Sequence, residues 1–448
     1  MPSRADYLFQ EHISVSRLAL SVKIWCPTTL KHEEVENSES FPMSMFWVVF
    51  STQSISLLGS QIVQFSLVWW LTKASGSASV LAVASIMALL PQVFISPIAG
   101  ALVDRWNRRL IMIATDSLVA MMVVILAILY ALGLVQIWHI YALMFFRSIG
   151  SAFQFPAMQA SISLMVKKES LSRVAGINQA LNGMVSIIAP AIGALLFELW
   201  PLQNVLMIDI STAAIAMLVL GLTRIPQPRR ASGEAVKNSL YSDISDGVRY
   251  LLGWRGGLYL ILMAMLVNLF FVPAFSLTAI LVSKFFGGEA LQYALLESTV
   301  GIGMVIGGVG LGVWGGFKSK VKTMVLALTV AGLGSIVIGV LPPSAFLLAV
   351  ACFFVIGLML PFTNGSMFAL LQTLIPPELQ GRVITIVIAI TSAMAPIGLS
   401  VAGPVSDVFG VQIWFIVGGS VMVFLGVASF FIPSIRDMER VSEGNLPK

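Results

Sequence analysis

Long apolar stretches follow one another through this chain with only short polar breaks between them. A helix needs about 20 apolar residues to cross the ~30 Å hydrocarbon core of a bilayer, and each of these stretches is that long. Only 10% of the 448 residues are charged, whereas soluble proteins carry about 25%, so lipid must solvate most of the surface. The sequence therefore predicts an all-α membrane protein with twelve transmembrane helices, at roughly 45–72, 79–103, 110–133, 138–166, 172–198, 203–223, 256–283, 290–316, 322–341, 345–375, 382–406 and 411–432.

Basic residues determine the expected orientation. The segment 224–255 separates six spans from six and is rich in lysine and arginine. Cytoplasmic loops of membrane proteins carry an excess of these residues, so we place this segment inside. Alternating the loops from there leaves Lys73 and Lys284 as the outside basic residues beyond position 42, and it puts both termini in the cytoplasm. The net charge of +5 then reflects this bias, and no nucleic-acid partner is expected.

We expect five segments along the chain. Residues 1–42 form an N-terminal tail, 43–223 a first six-helix bundle, 224–255 a cytoplasmic linker, 256–433 a second six-helix bundle, and 434–448 a cytoplasmic tail. The first segment mixes charges and lacks both a long apolar run and a signal-peptide layout. Two interpretations stay open: a disordered tail, or a start assigned upstream of a true beginning at Met43 or Met45.

Two similar stretches indicate an internal repeat. Residues 169–174 read Glu-Ser-Leu-Ser-Arg-Val and open the fifth span, and residues 378–383 read Glu-Leu-Gln-Gly-Arg-Val and open the eleventh. The two stretches lie 209 residues apart. Parallel duplicated halves of six spans are a known architecture of membrane transport proteins. The sequence therefore predicts two six-helix bundles of the same topology.

The loop between the second and third spans combines an acid with three arginines. Residues 100–109 read Gly-Ala-Leu-Val-Asp-Arg-Trp-Asn-Arg-Arg, a pattern that resembles the loop signature of the major facilitator superfamily. The glycine would allow two helices to approach closely, and the aspartate could pair with the arginines and release them when two bundles rock. The alternative is ordinary flanking charge at the inner face. The predicted conformational latch comprises Gly100, Asp104, Arg105, Arg108 and Arg109.

Four charged residues lie inside predicted spans and away from the span ends, namely Asp116, Arg147, Asp209 and Glu297. A charge within the hydrocarbon core is costly, and it is a functional-site hypothesis by default. We expect Asp209 to neutralise Arg147 and Glu297 to carry a proton, although these two acids could exchange roles. Asp116, nearer the cytoplasm, is the reserve candidate. A purely structural pair that ties helices together is the alternative for Arg147.

The fifth span resembles the Gly-Pro motif of drug:proton antiporters. Gly183 and Gly193 would allow close helix packing, and Pro190 would allow a bend that neighbouring helices tolerate. The match is partial, because Ala189 stands where that motif has a glycine. An ordinary packed and kinked helix is the alternative interpretation.

Patterns typical of enzymes and metalloproteins are missing from the sequence. The two cysteines, Cys26 and Cys352, and the three histidines are scattered, which fits neither a disulfide framework nor a zinc site. We find no P-loop lysine motif, zinc-binding helix or nucleophile elbow. The sequence therefore predicts no cofactor, no metal and no enzymatic activity, and it indicates that an ion gradient supplies the energy.

Several short motifs extend the resemblance. They include Phe-Arg-Ser-Ile-Gly at 146–150, Ile-Asp at 208–209, Pro-Phe at 361–362 and Pro-Ile-Gly at 396–398. Over roughly residues 45–435 the chain resembles the macrolide-efflux branch of the drug:proton antiporters. That resemblance implies proton-coupled export of macrolide-like drugs, or of related small amphipathic compounds, across the bacterial cytoplasmic membrane.

The resulting hypothesis is a monomeric secondary active transporter that works by alternating access around a mid-membrane cavity. An importer or a metabolite exporter of the same fold is the first alternative. A membrane-embedded enzyme or a non-transporting sensor is the second. Apolar side chains would line most of the cavity and amides would supply directional contacts: Phe146, Phe153, Phe155, Met158, Asn178, Gln179, Asn182, Asn268, Phe271 and Phe362.

Overall fold

A computed structural model of the chain describes residues 41–103, 105–227, 249–251 and 253–431. Helices make up nearly all of these ranges, and no strand occurs within them. The chain from Met43 onward forms one compact unit. The predicted N-terminal tail up to residue 40, Asp104, most of the predicted linker and the predicted C-terminal tail lie outside the described residues.

Six long helices form the first half of the chain. Short connections join them, and helix-starting residues mark several of the boundaries. The Asn107 side chain, for example, accepts hydrogen bonds from the backbone N–H groups of Arg109 and Leu110 and so caps the third helix. The helices are α1 Met43–Ser75, α2 Ala78–Val103, α3 Arg108–Ala131, α4 Ile137–Met165, α5 Leu171–Leu199 and α6 Leu202–Leu222.

The second half contains the same number of spans, but two of them are broken. Pro273 interrupts the seventh span, because proline has no N–H to continue the helical ladder. The eleventh is divided at Ala393, three residues before Pro396. The helices are α7 Arg255–Phe270, α8 Val272–Ser276, α9 Thr278–Ile280, α10 Ala290–Trp314, α11 Lys320–Val340, α12 Phe346–Leu374, α13 Pro377–Ser392, α14 Met394–Phe409 and α15 Gln412–Phe431, with a π-turn over Leu281–Phe285.

Eleven segments of the described helices are long and apolar enough to cross a membrane. The twelfth span is α4, which has 29 residues but contains Arg147, Gln154 and Gln159, and these polar side chains lower its hydropathy. A span that retains such residues must bury them within protein rather than expose them to lipid. The prediction of an all-α membrane protein with twelve spans is thus confirmed.

Helix packing separates the two halves and then joins them along two seams. Within the first half, α1 packs on α5 and α6, α4 on α2 and α3, and α3 on α6. Within the second, α11 packs on α12 and α15, and α10 on α12. The seams between the halves are formed by α5 with α10 and by α2 with α14. These two seams hold the halves together.

Glycines allow the closest helix approach in the second half. A Cβ atom added at Gly303 would lie 2.5 Å from the Phe354 carbonyl oxygen, and one at Gly357 would lie 2.4 Å from that of Val300. Any side chain there would therefore force α10 and α12 apart. Small residues spaced along one helix face are a common packing device in membranes, and here they hold these two helices in contact.

Candidate functional site

Arg147 and Asp209 form an ion pair inside the first half. The guanidinium of Arg147 on α4 lies 3.3 Å from the carboxylate of Asp209 on α6, and the two side chains are 13% and 3% exposed. Ser60 on α1 donates its hydroxyl to Asp209 at 2.7 Å and offers its carbonyl oxygen to Arg147. The structure thus places Arg147 against the acid that the sequence favours. Removal of one partner would leave an uncompensated buried charge.

Asp116 lies beside this pair and is reached by a chain of amides. The amide N–H of Gln53 points to the Asp116 carboxylate at 3.4 Å. Gln154 donates to the side-chain oxygen of Gln53 at 2.9 Å, and the hydroxyl of Thr115 donates to the oxygen of Gln154 at 2.5 Å. Sequence reasoning missed both glutamines. The available signal was spacing, because Gln154 follows Arg147 by seven residues, two helical turns along the same face.

These groups enclose a cavity of about 200 Å³ within the first half, which we call the polar cavity. Such a volume is well above what one water molecule needs. Its lining brings together the ion pair, the third charged group and the amides. The lining residues are Gln53, Ser56, Leu57, Ser60, Gln61, Thr115, Asp116, Val119, Arg147, Gly150, Ser151, Gln154, Asp209 and Ala213.

A larger cavity of about 390 Å³ adjoins the polar cavity, and we call it the wide cavity. The two share Gln53, Leu57, Ser151 and Gln154. Its other lining residues mix aromatic rings with amides and come from α1, α2, α4 and α5. They are Phe50, Ser54, Gln92, Phe155, Met158, Gln159, Ile162, Asn178 and Asn182. Four of the predicted cavity residues therefore line the wide cavity: Phe155, Met158, Asn178 and Asn182.

The other predicted cavity residues lie elsewhere. Asn268 lines a third cavity of about 360 Å³ between α2, α7, α13 and α14, and that cavity shares Gln92 with the wide cavity. Phe271 is buried against Phe275, with ring centroids 4.9 Å apart, so it packs in the apolar core in this conformation, and its place in the substrate cavity stays a prediction. Further positions are as follows: Phe362 lies near Trp314, Phe146 packs edge-on against Phe145, Phe153 is half-buried, and Gln179 is exposed.

Glu297 lies on α10, away from the polar cavity. It follows Tyr293 by one helical turn, and the Tyr293 ring stacks on Phe65 of α1 with centroids 4.8 Å apart. The neighbouring Ser298 hydroxyl donates to the Ile187 carbonyl oxygen at 2.7 Å and ties α10 to α5. In the part of the chain that the structure describes, Glu297 forms no ion pair. The structure therefore does not bring this acid to Arg147.

The glycines of the antiporter-like motif lie where α5 contacts neighbouring helices. A Cβ atom at Gly183 would approach Val305 of α10 at 2.8 Å, and one at Gly193 would approach the Phe65 ring at the same distance. The two glycines thus allow α5 to pack on both halves. Pro190 is accommodated within one continuous helix, Leu171–Leu199.

The two halves are bonded to each other at the end of the bundle where α1 passes into α2. Asp407 on α14 accepts hydrogen bonds from the backbone N–H groups of Ala78 and Ser79, at 2.6 and 3.0 Å, and from the Ser77 hydroxyl at 2.9 Å. The second half thereby caps the N-terminus of α2 in the first half. We call this the Asp407 end. The cap was missed in the sequence, because its partners are more than 300 positions away.

Family models and known proteins match this chain over most of its length. The major facilitator superfamily model matches residues 49–399. The chain belongs to the major facilitator superfamily. Macrolide efflux protein A of Streptococcus pyogenes is 32% identical over 397 residues, 88% of this chain and 97% of that protein. The multidrug efflux pump Tap of Mycolicibacterium fortuitum is 24% identical over 396 residues, 86% and 94% of the two chains.

Solved structures of the superfamily share the fold. A bacterial homologue of the iron transporter ferroportin aligns with a TM-score of 0.68 at 14% identity, over 86% of this chain and 97% of that one. A bacterial homologue of the lysosomal transporter Spinster aligns with a TM-score of 0.66 at 14% identity, over 91% and 98%. Together with the relatives, these matches make the chain a multi-pass membrane transporter of the macrolide-efflux branch, not an enzyme.

The loop signature of this superfamily lies at the end opposite to Asp407. Arg108 donates to the Ala160 carbonyl oxygen of α4 at 2.7 Å, and Arg109 donates to that of Gly221 on α6. Both contacts stay within the first half. Among the described residues, no atom lies within 4 Å of a Cβ atom added at Gly100. The close helix approach expected there is not seen in this conformation and stays a prediction. Arg105 is exposed, and Asp104 lies outside the described residues.

Proposed function

We propose that the chain exports small amphipathic compounds, macrolide-like drugs among them, from the bacterial cytoplasm in exchange for protons. The observation that carries this proposal is the polar cavity, which holds two carboxylates and one guanidinium inside a membrane bundle. Asp209 balances Arg147, and the charge of Asp116 has no cation of its own in the cavity. An acid that a proton can neutralise is what ion coupling requires. The names of the relatives support an efflux function and drug-like substrates.

The open cavities and the bonded end support an alternating-access cycle. Hydrogen bonds join the halves at the Asp407 end, and the wide cavity lies among residues near the start of α1, the end of α4 and the start of α5. The excess of basic residues at the end opposite to Asp407 predicts that this end faces the cytoplasm. This conformation would therefore receive substrate from the cytoplasm. The cycle would rock a bundle of residues 43–223 against one of 256–433, joined by the 224–255 linker, with both termini cytoplasmic and the monomer as the working unit.

The wide cavity suits an amphipathic substrate. The rings of Phe50 and Phe155 and the side chain of Met158 supply apolar contact area, and the amides of Asn178 and Asn182 supply directional contacts. Binding sites for small molecules combine a mostly apolar lining with a few polar groups in this way. The predicted latch around Asp104 would hold the cytoplasmic end when the cycle reverses.

A single proton supplies enough energy for a useful gradient. Moving one charge across 100 mV yields about 2.3 kcal/mol, which supports a substrate gradient of about 50-fold since each 1.4 kcal/mol is tenfold. The sequence favours Glu297 as the proton carrier, with Asp209 held by Arg147. The geometry favours Asp116, because that acid lies in the polar cavity while Arg147 is paired with Asp209.

Reconstituted protein tests the proposal directly. Liposomes containing the purified transporter receive an imposed pH gradient, and the movement of a labelled macrolide is followed together with the internal pH. We expect macrolide accumulation against its gradient and proton flow in the opposite direction. An ionophore that collapses the pH gradient should abolish accumulation. Accumulation that survives the ionophore would rule out proton exchange, and movement of macrolide with the protons would identify an importer-type symporter instead.

A further inference from the structure

The same two glutamines line both cavities of the first half. Gln53 and Gln154 face the polar cavity, where they bond towards Asp116, and they also face the wide cavity, where substrate is proposed to bind. Each amide can donate from one side and accept on the other. A molecule in the wide cavity can therefore change the hydrogen bonds that reach Asp116 without touching that acid.

The chain of hydrogen bonds has a direction. Gln154 donates to Gln53, and Gln53 donates to Asp116. The Thr115 hydroxyl can donate its one proton to Gln154 or to the backbone carbonyl oxygens of Ile111 and Met112, and the contact to Gln154 is the shortest of the three. This direction suits an ionised Asp116, because a carboxylate only accepts hydrogen bonds. A protonated Asp116 would instead donate its O–H to the oxygen of Gln53. The Gln53 amide would then rotate and point its N–H₂ group towards Gln154. The Gln154 amide must rotate as well, because otherwise two N–H₂ groups would face each other.

We propose that Gln53 and Gln154 form a relay through which substrate in the wide cavity controls the proton on Asp116. This inference rests on the proposed exchange of substrate for protons and assigns its coupling residues. A substrate hydroxyl or ammonium that donates to the oxygen of either glutamine turns the amide N–H towards Asp116. Donation to the carboxylate stabilises its charged form. The O–H bond of Asp116 then breaks, and the proton passes to water and to the cytoplasm.

The surrounding charges fit this assignment. The polar cavity receives Arg147 from α4 and Asp209 from α6, while α1 contributes neutral side chains. Arg147 and Ser60 already satisfy Asp209, so the guanidinium is committed to that acid. Among the described residues, the hydrogen-bond partners of Asp116 are amides, so a change in those amides can alter the charge of this acid. The relay also sets a substrate class, namely amphipathic compounds that present a hydrogen-bond donor.

The test measures protons released for each substrate molecule bound. Purified protein in a weakly buffered solution is saturated with a macrolide, and a pH dye reports the release. The native protein should release protons, and Asp116→Asn should bind the macrolide without releasing them. Gln154→Leu and Gln53→Leu should also lose proton release at saturation. Gln64→Leu is the matched control and should release protons as the native protein does, because Gln64 lies on the same helix as Gln53 but lines neither the polar cavity nor the wide cavity.

Each outcome separates the relay from the proposed exchange. Native release of protons by Gln154→Leu at saturation would overturn the relay, as would loss of release in Gln64→Leu together with Gln154→Leu. A native protein that binds macrolide and releases no proton would overturn the proposed exchange and the relay with it. Proton release that persists in Asp116→Asn would overturn the relay alone. Thr115→Val replaces the Gln variants if these fail to fold, and the relay requires it to release fewer protons than the native chain.

Discussion

The two halves share one topology but have opposite interiors. In the first half, α1, α3, α4 and α6 enclose the polar cavity around Arg147. In the second, the corresponding helices meet around three aromatic rings, those of Phe275, Phe353 and Phe415, with centroids 5.4 to 6.4 Å apart. The repeat offset of 209 residues pairs Arg147 with Ile356, which is fully buried in that apolar core.

This difference shows that one half of a duplicated fold can hold buried charges while the other half keeps an apolar core. Both halves must pack six helices, and an apolar core does so without the cost of buried charge. Two acids of the second half lie instead at its contacts with the first: Asp407 caps α2, and Glu289 pairs with Lys73. We therefore expect changes inside the first half to alter coupling and stability, and changes at the contacts to alter the equilibrium between conformations.

The largest effect is expected when the ion pair is broken. Asp209→Asn leaves Arg147 uncompensated in the membrane interior, which should lower the free energy of unfolding by about 3–5 kcal/mol. Unfolding of the purified protein in detergent measures it. The double variant Arg147→Met/Asp209→Leu is the control and should recover much of the loss, because it removes both charges. A single variant as stable as the native protein would remove the distinction between the two interiors.

The next effect concerns which half carries the proton. Asp116→Asn should abolish accumulation of macrolide against a gradient but permit exchange of macrolide across the liposome membrane. The reason is that the variant lacks the proposed proton site and keeps the substrate cavity. Glu297→Gln should retain accumulation driven by the pH gradient. The opposite result, loss of accumulation in Glu297→Gln alone, would restore the carrier favoured by the sequence and place coupling in the second half.

Sequence reasoning found the features that depend on one helix at a time. Residue composition and length gave the twelve spans, with α2 at Ala78–Val103 where 79–103 was predicted. The pairing of Arg147 with Asp209 was predicted correctly, because a charge inside a membrane bundle has few possible partners of opposite sign. The contacts of Gly100 and Phe271 could not be derived from the sequence, since each depends on which neighbour lies across a helix face.

The features that were missed depend on how helices are brought together. Gln53, Gln154 and Asp407 are common polar residues, and alone they give no signal in a sequence. Gln53 and Gln154 gain their role from the packing of α1, α3 and α4, which places two amides in line with Asp116. Asp407 gains its role from the seam between α2 and α14. Such roles become visible only when both partners of a contact are known.

A smaller effect is expected at the cap of α2. Asp407→Ala removes the acceptor of two backbone N–H groups, and loss of a helix cap costs about 0.5–2 kcal/mol. Because the cap joins the halves, its loss should shift the equilibrium towards the conformation that is open at the Asp407 end. A loss of 1–2 kcal/mol corresponds to an increase of about 5–30-fold in the ratio of open to closed protein. The labelling rate of a cysteine at Ala82, buried in that seam, in a background without native cysteines, measures the opening. Ser400→Ala on the same helix should leave the rate unchanged.

The smallest effect is expected at the Lys73–Glu289 pair, although it also joins the two halves. Its atoms lie 2.8 Å apart, but the side chains are 45% and 62% exposed, and water and salt screen such a pair to about 0–1 kcal/mol. Lys73→Gln should therefore raise the labelling rate at Ala82 by less than Asp407→Ala does. Its effect should also fade as salt is raised, because exposed charges are screened, whereas a cap bonded to backbone N–H groups retains its geometry. A larger effect from Lys73→Gln than from Asp407→Ala would show that the halves are held by long-range charge at this end and not by the capped helix.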